Sequence, residues 1–397
     1  MISKRVNNMQ ESPIRKLVPF ADEAKTKGIK VYHLNIGQPD IKTPDSVLNA
    51  IKNYSSDIIA YGYSQGEPFL RKAISDYFKK YDAVVSPDDM IITTGGSEAI
   101  LFAFTVVGDI DDEIIVFEPY YTNYNGYAAM SNINLIPVTT KAEDGFALPS
   151  SEEIEKKIGE KTRAILLCSP NNPTGTIYPE KDLLRIIEIA KKHNLYIISD
   201  EVYREFIYGD IKYKSMLHFE DVKERVIVVD SISKRYSACG ARIGYIISKN
   251  KDIMKGVMKL AQARLCPPVV EQVAATAAYK MDFRYFKEVQ QEYKKRRDIM
   301  FDALKEIEGV VLEKPQGAFY MVVKLPINNS DDFAKWLLSD FNYKNETVMV
   351  APAGGFYSTK GKGEDEIRLA YVLEENKLLK SMKIIKEALK EYPDKKR

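Results

Sequence analysis

Histidine and cysteine are both scarce in this chain of 397 residues. The three histidines, His33, His193 and His218, stand far apart, and none belongs to an H-E-x-x-H pattern. We therefore expect no histidine-rich metal site and predict no bound metal. The three cysteines are an odd number for a disulfide framework and show no C-x-x-C spacing. This usage of cysteine indicates a reducing compartment.

Excess charge of one sign and long apolar runs are missing as well. The 58 Lys and Arg residues nearly balance the 56 Asp and Glu residues, which leaves a net charge of +2. This balance gives no reason to expect nucleic acid or an anionic membrane as a partner. No apolar run approaches the length of a membrane span, about 18 residues, and the N-terminal stretch MISKRVNNMQ lacks the apolar core of a signal peptide. We therefore predict a cytoplasmic protein.

Short apolar runs alternate with longer amphipathic stretches from residue 90 onward. The alternation predicts an α/β domain with a mainly parallel seven-stranded sheet flanked by helices. Because the chain is too long for one small core, we also expect a second, smaller domain, packed closely enough for a cleft to form between the two. The predicted strands of the large sheet are Met90–Thr94, Glu113–Phe117, Leu135–Val138, Arg163–Leu167, Tyr196–Ser199, Val226–Asp230 and Ile243–Ile247.

Helical patterns and a few further strand signals occupy the rest of the chain. After residue 270 the strand signals thin out, which predicts an α+β portion at the C-terminal end. The predicted helices are Ile14–Lys27, Pro68–Tyr81, Ala99–Val107, Pro179–His193 and a long stretch over Glu271–Ile307. The further predicted strands are Val31–Ile36, Ala318–Val323 and Ile367–Tyr371.

The stretch Val226–Gly244 carries the strongest chemical signal. Its apolar run is typical of a fully buried strand, and Ser231, Ser233 and Lys234 follow directly, with Arg242 eight positions after the lysine. Ligands of such sheets bind beyond the carboxyl ends of the strands. A lysine at that edge, between hydroxyls and an arginine, can form a Schiff base beside a bound phosphate. Taken alone, the same lysine is equally compatible with a solvated surface position.

Two loops have features of ligand-binding sites. The segment Thr94–Ala99, TGGSEA, lies between a predicted strand and a predicted helix, so its backbone N–H groups and the helix N-terminus suit an anion. A tight turn with a helix start is the alternative. The segment Ser169–Gly175, SPNNPTG, is an ordered, bent loop that holds Asn172 at the sheet edge, suited to a phenolate oxygen or a carboxylate. The alternative for Asn172 is an Asx turn.

A carboxylate follows the strand Tyr196–Ser199. Asp200 comes at the end of this buried run, with Tyr203 three residues later. A buried carboxylate costs free energy unless it is paired. Asp200 could cap a helix, or it could pair with a protonated ring nitrogen such as a pyridine cofactor supplies.

These motifs together resemble those of a known family. The ordered set G-G-S-E-A, S-P-N-N-P-T-G, S-D-E-V-Y, S-x-S-K and I-R-L runs nearly end to end, from Leu34–Asp40 to Ile367–Ala370. The chain resembles the class I/II aminotransferases of the fold-type-I pyridoxal phosphate enzymes, particularly the branch that contains bacterial aspartate aminotransferases. The resemblance implies a segment 1–45 that joins the small domain, a cofactor-binding domain 46–284 and a small C-terminal domain 285–397.

The resemblance also implies a role for each matching residue. Lys234 would hold pyridoxal 5'-phosphate as a Schiff base and transfer the proton of the substrate, while Asp200 would keep the pyridine nitrogen protonated. Tyr203 and Asn172 would contact the phenolic oxygen, and Tyr121 would stack on the ring. The phosphate would be held by Gly96, Ser97, Ser231, Ser233 and Arg242, and by Tyr61 from the other subunit of a homodimer. Arg368 would bind the α-carboxylate, with Asn172 nearby and with Gly37 beside it on a mobile segment that closes the site.

The sequence departs from the family pattern in ways that bear on the substrate. Ala238 and Ala241 replace bulky residues near the lysine, so that there is either more room or repacking by neighbours. Ser97 stands where some aspartate enzymes carry a basic residue for the distal carboxylate. Either another residue binds that carboxylate or the preferred donor is not aspartate. The loop Ala351–Phe356 is also predicted to lie near the substrate.

The predicted function is transfer of an amino group from an L-amino acid, aspartate or a broader donor set, to 2-oxoglutarate by a ping-pong mechanism. The alternatives are an aromatic or neutral amino acid transaminase, or a C–S lyase or oxidase on the same scaffold. A non-catalytic regulator is disfavoured, because the segment before Val31 is too short for a DNA-binding domain and Lys234 is intact.

Overall fold

The computed structural model describes residues 2–7 and 9–396. Its strands are β1 (Lys30–His33), β2 (Met90–Thr94), β3 (Glu113–Glu118), β4 (Asn134–Thr139), β5 (Thr162–Cys168), β6 (Tyr196–Asp200), β7 (Val226–Ser231), β8 (Ile243–Ser248), β9 (Tyr320–Lys324), β10 (Glu346–Met349), β11 (Ala351–Pro352) and β12 (Glu366–Ala370). Its α-helices are α1 (Lys4–Asn7), α2 (Val18–Thr26), α3 (Asp45–Lys52), α4 (Pro68–Lys79), α5 (Gly95–Val107), α6 (Asn123–Ser131), α7 (Ser151–Glu155), α8 (Glu180–Lys192), α9 (Lys251–Arg264), α10 (Val269–Tyr279), α11 (Arg284–Leu304), α12 (Ser330–Ser339) and α13 (Glu375–Glu391).

The large sheet has seven strands in the order β2-β8-β7-β6-β5-β3-β4. Strand β8 is antiparallel to both of its neighbours, and the other pairs are parallel. The prediction of a mainly parallel seven-stranded sheet is confirmed. Because β8 runs against the rest, its first residue lies at the same sheet edge as the last residues of the other six strands. Residues that follow β2, β3, β5, β6 and β7 therefore meet those that precede β8.

The sheet is covered on both faces because its strands alternate between two hydrophobic cores. Ile115 and Val228 belong to the core cluster on one face, whereas Ile114 and Val229 belong to the cluster on the other. Every residue of β7 is buried, which explains its unbroken β-branched sequence. Helix α5 packs against β7 and β8. This contact brings the N-terminus of α5 to the edge where the strands end.

A further core draws on both ends of the chain. Leu17, Tyr32 and Leu34 pack there with residues between Val289 and Tyr392. Around this core, β1 pairs in parallel with β10, and β11, β12 and β9 form an antiparallel sheet. Strand β12 lies in the middle of that sheet, so Arg368 projects from a fully buried strand. The domain boundaries at residues 45 and 284 stay a prediction.

Three helix predictions differ from the structure in their limits. The stretch 271–307 is two helices, α10 and α11, because the Asp282 side chain accepts the N–H of Arg284 and starts a new helix. The stretch 14–27 is a short 3-10 turn, Arg15–Leu17, followed by α2, with Pro19 in the first turn of the helix. Helix α5 begins at Gly95 rather than at residue 99. In the part of the chain that the structure describes, no helix combines the length and apolar character needed to cross a membrane.

Candidate active site

The sheet edge brings twelve of the thirteen predicted site residues to one cleft of about 400 Å³. The cleft lies between the large sheet and the strand β12, and residues 12–18 of the N-terminal segment contribute to its wall. The predicted residues that line it are Gly37, Gly96, Ser97, Tyr121, Asn172, Asp200, Tyr203, Ser231, Ser233, Lys234, Arg242 and Arg368. Tyr61 is the exception, because it lies outside the cleft with 82% of its surface exposed.

One part of the cleft is shaped for an anion. Helix α5 starts at Gly95, whose φ of +75° suits glycine, and the guanidinium of Arg242 lies only 2.3 Å from where a Cβ would stand at that position. A Cβ on Gly244 would lie 2.4 Å from the backbone of Gly95, so β8 and the helix start are in close backbone contact. The buried hydroxyls of Ser231 and Ser233 border the same pocket. A helix N-terminus, an arginine and two hydroxyls together form a phosphate-type site.

Lys234 lines the cleft from the turn that follows β7. Its Nζ donates a hydrogen bond to the carbonyl oxygen of Gly37, at 2.8 Å. Gly37 has no room for a side chain, because a Cβ there would lie 1.6 Å from the Tyr320 hydroxyl. The N-terminal segment thus approaches the lysine through bare backbone. Ser233 and Arg235 on either side of the lysine are buried, which fixes the backbone while the amine reaches into the cleft.

Asp200 is the acidic residue of the cleft wall in the described chain. It ends β6 and is 8% exposed, and it accepts hydrogen bonds from the Tyr124 hydroxyl at 2.6 Å and from the Val202 N–H at 3.3 Å. Burial raises the pKa of Asp200 to about 6, although these two hydrogen bonds oppose the rise. A cationic partner in the cleft would therefore favour the ionised carboxylate and lower this pKa again.

Arg368 also lines the cleft. It is 3% exposed and bonds to Asn172 Oδ1 at 3.2 Å and to the carbonyl oxygen of Asn35. Its Nε has no hydrogen-bond partner among the described residues, and neither polar atom of the Asn35 side chain has one. Desolvation lowers the pKa of Arg368, since none of its contacts is a carboxylate. A buried guanidinium without an acidic partner indicates a site for an anionic ligand.

Aromatic side chains support both cationic and polar groups of the cleft. The rings of Tyr320 and Phe356 lie 4.6 Å and 5.0 Å from the Arg368 guanidinium. The Tyr320 hydroxyl is 2.9 Å from that of Tyr203, and burial raises the pKa of Tyr203 well above its ordinary value, so Tyr203 stays a hydrogen-bond donor. The ring of Tyr121 is perpendicular to that of Tyr124, at 5.4 Å. This edge contact leaves Tyr121 beside the cleft.

A network of buried ion pairs lies beneath the sheet edge. Asp230, fully buried, pairs with Arg235 and accepts hydrogen bonds from the Tyr245 hydroxyl at 2.8 Å and the Ser231 N–H at 2.6 Å. Arg204 lies 3.4 Å from Asp230 and 2.6 Å from Glu201. Because each of these charges has an opposite partner, the network holds the ends of β6 and β7 together without an external ligand.

Sequence reasoning missed several residues of the site. Asn35 and Tyr320 line the cleft, and Tyr124 holds Asp200 from below. Tyr124 stands three residues after Tyr121, and this short spacing could have indicated from the sequence that both lie near the site. The contacts of Tyr320, in contrast, depend on the packing of β9 against Gly37. Of the departures from the family pattern, Ala238 is buried within a core cluster.

The loop 351–356, which was predicted to lie near the substrate, contacts a residue of the cleft from behind. Its residues are absent from the cleft wall in the described chain, but Phe356 touches Arg368. The carbonyl oxygen of Phe356 also accepts the N–H of Tyr120, at 3.0 Å. The loop therefore links this arginine of the cleft to the segment that follows β3.

A lysine at the carboxyl edge of a mainly parallel sheet, in one cleft with an anion pocket and a buried arginine, defines an α/β enzyme that binds small anionic molecules. Sequence comparison gives the family: the model of aminotransferase class I and II matches residues 29–380. The chain belongs to the class I and II aminotransferases, and it is a transaminase. Relatives include a probable aspartate/prephenate aminotransferase of Aquifex aeolicus, 32% identical over 98% of this chain and 99% of the relative, and the aspartate aminotransferase of Bacillus subtilis, 30% identical over 98% and 99%.

Solved structures agree with this assignment. Aspartate aminotransferase from Thermotoga maritima superposes with a TM-score of 0.90 at 31% identity, covering 98% of this chain and all of that one. Alanine aminotransferase from Pyrococcus furiosus gives a TM-score of 0.90 at 33% identity, with the same coverage. The fold is therefore that of the fold-type-I aminotransferases, as predicted.

Enzymes of this family and fold depend on pyridoxal 5'-phosphate, and the residues of this cleft fit such a group. The pocket formed by Arg242 and the start of α5 suits a phosphate. Asp200, a buried carboxylate that a cation would stabilise, suits a protonated ring nitrogen. Lys234 provides an amine in the same cleft. The donor set therefore matches an anionic pyridine with a reactive aldehyde.

The raised pKa of Asp200 predicts a pH-dependent cost in the cofactor-free protein. The pKa is about 6 in the folded state and roughly 4 in the unfolded state. The contribution of Asp200 to the free energy of unfolding is therefore highest below pH ~4 and falls as the pH rises to ~6. Asp200→Asn should remove this cost and make the cofactor-free protein more stable above pH ~7, by up to about 3 kcal/mol. Chemical denaturation at several pH values measures the difference.

The control for this experiment is Asp252→Asn, because the Asp252 side chain is 91% exposed. It should track the wild type at every pH. A stability difference for Asp200→Asn that stays the same from pH ~4 to pH ~8 would contradict the assigned role of burial.

Proposed function

We propose that the protein uses pyridoxal 5'-phosphate to transfer the amino group of an L-amino acid, aspartate or a broader set of donors, to 2-oxoglutarate. The observation that carries this proposal is Arg368, a buried guanidinium with no acidic partner. Every amino acid and every 2-oxo acid has a carboxylate next to the reacting carbon, and a planar guanidinium binds it through two parallel hydrogen bonds. The names of the Aquifex and Bacillus relatives support aspartate as a donor.

The predicted cofactor-binding residues of the cleft have distinct roles in this proposal. Arg242, Gly96, Ser97, Ser231 and Ser233 would hold the phosphate, and Asp200 would hold the ring nitrogen. Asn172 and Tyr203 would bind the phenolic oxygen, and Tyr121 would cover the ring. When bound, the cofactor supplies an aldehyde that takes up the amino group and a ring that withdraws electrons from the α-carbon.

The protein itself orients the substrate and moves its proton. Arg368 would fix the carboxylate in the cleft that Lys234 also lines, which would present the α-carbon to the lysine. Lys234 removes the proton of that carbon and returns a proton later in the cycle. Because the donor and the acceptor both need Arg368, they occupy the cleft in turn. This supports ping-pong kinetics.

Neutral donors are the second candidate. Ser97 adds no charge to the cleft, and the similar structure from Pyrococcus furiosus is an alanine aminotransferase. Aromatic donors belong to the same alternative. A C–S lyase or an oxidase would use the same lysine, aspartate and arginine, and the products distinguish these reactions from transamination.

The proposal is tested by mixing the cofactor-loaded protein with single amino acids and following its visible absorbance. Aspartate and glutamate should convert the bound cofactor to its amino form, and 2-oxoglutarate should restore it. Conversion by alanine or aromatic donors alone would change the donor class. Release of pyruvate and ammonia without the amino form would contradict transamination.

Lys234→Ala, the control, should lack the absorbance band of the lysine-bound cofactor, and an unchanged spectrum would refute the role of Lys234.

Arg368→Gln should weaken all donors alike. The variant keeps most of the volume but loses the charged hydrogen bonds, so kcat/KM should fall by about 100-fold or more for aspartate, glutamate and alanine. Arg163→Gln is the matched control, because Arg163 pairs with Asp112 at the opposite edge of the sheet. A loss confined to acidic donors would mean that Arg368 binds the distal carboxylate instead.

We also propose a homodimer in which Tyr61 reaches the phosphate of the partner's site. The support is an exposed apolar segment: Ile58, Ile59 and Tyr61 are 75%, 68% and 82% exposed. Sedimentation equilibrium should give twice the chain mass of 45.2 kDa. The double variant Ile58→Lys/Ile59→Lys should shift the mass toward the monomer, whereas Ile110→Lys, at a side chain 74% exposed elsewhere, should not. A wild-type monomer would contradict the dimer.

A cytoplasmic location completes the proposal. Cys168, Cys239 and Cys266 are all free thiols, which suits a reducing compartment. Cell fractionation is the measurement that checks it.

A further inference from the structure

One cationic side chain of the cleft has no partner in the proposed function. Among the residues that the structure describes, the walls of the cleft carry four cationic side chains, Arg15, Lys234, Arg242 and Arg368, against the single acid Asp200. The proposed function gives partners to three of these cations: the aldehyde, the phosphate and the α-carboxylate. Arg15 is left without a role.

We propose that Arg15 binds the second carboxylate of dicarboxylic substrates and so selects them over neutral ones. This inference rests on the proposed function, because it assigns the substrate class of the same cleft. It also resolves the question raised by Ser97, since the residue after the two glycines of α5 is neutral and another cation has to recognise the distal carboxylate.

Arg15 is free to take a ligand. In the part of the chain that the structure describes, its guanidinium makes no ion pair and no side-chain hydrogen bond, and only its backbone N–H is engaged, with Ser12 Oγ at 3.3 Å. The neighbouring Lys16, in contrast, pairs with Asp331 at 2.6 Å and is not part of the cleft wall. Of two adjacent cations, one is thus held by the protein and the other is available.

The segment that carries Arg15 is fixed rather than loosely attached. Pro13 packs so closely on Gly355 that a Cβ at Gly355 would lie 2.5 Å from the proline ring. Ile14 packs against the small apolar cluster that contains Phe356. Gln10 bonds to the Gly355 carbonyl oxygen at 3.4 Å and to the Asn125 side chain at 2.7 Å.

The same loop determines how Arg15 and Arg368 are related. Phe356 lies against the Arg368 guanidinium at 5.0 Å, and Ile14, next to Arg15, packs on the cluster that contains Phe356. The two arginines are therefore held by one packed unit on the wall of a single cleft. In this proposal a substrate with a carboxylate at each end engages both, whereas a substrate with one carboxylate engages only the buried Arg368.

The difference in burial between the two arginines suits this division of roles. Arg368 is buried and must be paired to be stable, so it anchors every substrate. Arg15 is exposed and is well solvated without a ligand, so neutral substrates bind at little cost. This accounts for a broad donor set in which dicarboxylates are preferred.

The test is the binding of two inert ligands to the full-length, cofactor-loaded protein by calorimetry. Succinate has two carboxylates, and butyrate has the same number of carbons and one carboxylate; neither has an amino group. Wild-type protein should bind succinate about tenfold or more tightly than butyrate, since charge-assisted hydrogen bonds are the stronger ones. Arg15→Gln should bring succinate to the level of butyrate and leave butyrate within about twofold.

Two further variants separate recognition from structure. Arg15→Lys keeps the charge but loses the planar fork, so it should recover part of the succinate affinity. Lys16→Gln, the matched neighbour, should change neither ligand. The inference is overturned if wild-type protein does not prefer succinate, if Arg15→Gln leaves succinate binding unchanged, or if it weakens both ligands equally.

The outcome is independent of turnover. If the amino-donor screen finds no transamination while Arg15→Gln removes the succinate preference, the proposed function fails and the carboxylate site stands. If transamination is found without a succinate preference, the reverse holds.

Discussion

The pairing of Asp230 with two arginines beneath the sheet edge is the constraint on which the site depends. A fully buried carboxylate next to Arg204 and Arg235 is stable only while all partners remain in place. Because Asp230 belongs to β7 and Arg235 follows Lys234, this requirement fixes the chain on both sides of the lysine. The lysine side chain is then free to change its bonding partner on a backbone that does not move.

The charges around the cleft are arranged in the opposite way. Beneath the sheet edge the protein pairs its ions internally. In the cleft it presents Arg242, Arg368 and the acid Asp200, each without a strong ionic partner among the described residues. Unpaired groups of this kind are costly in the empty protein. They become favourable when molecules of complementary charge enter, and the position of each group then determines the orientation of the ligand.

Local sequence signals were sufficient for the strands of the large sheet, because buried parallel strands are short β-branched runs that alternate along the chain with helical stretches. They also indicated Lys234, Asp200 and Asn172, which directly follow or end such runs. The break between α10 and α11 was missed, since only the four residues 280–283 interrupt the helical pattern. Asn35, Tyr320 and Arg15 were missed for another reason: their positions depend on contacts between segments hundreds of residues apart, which no local pattern contains.

The contact between Gly37 and Tyr320 has an evolutionary consequence. Any side chain at position 37 would occupy the space of the Tyr320 ring, so position 37 can enlarge only in a lineage where position 320 has already become smaller. Loss of the Tyr320 ring would in turn remove the support of Arg368 and the partner of the Tyr203 hydroxyl. Positions 37 and 320 can therefore change only as a compensated pair, because either substitution alone gives a defective protein.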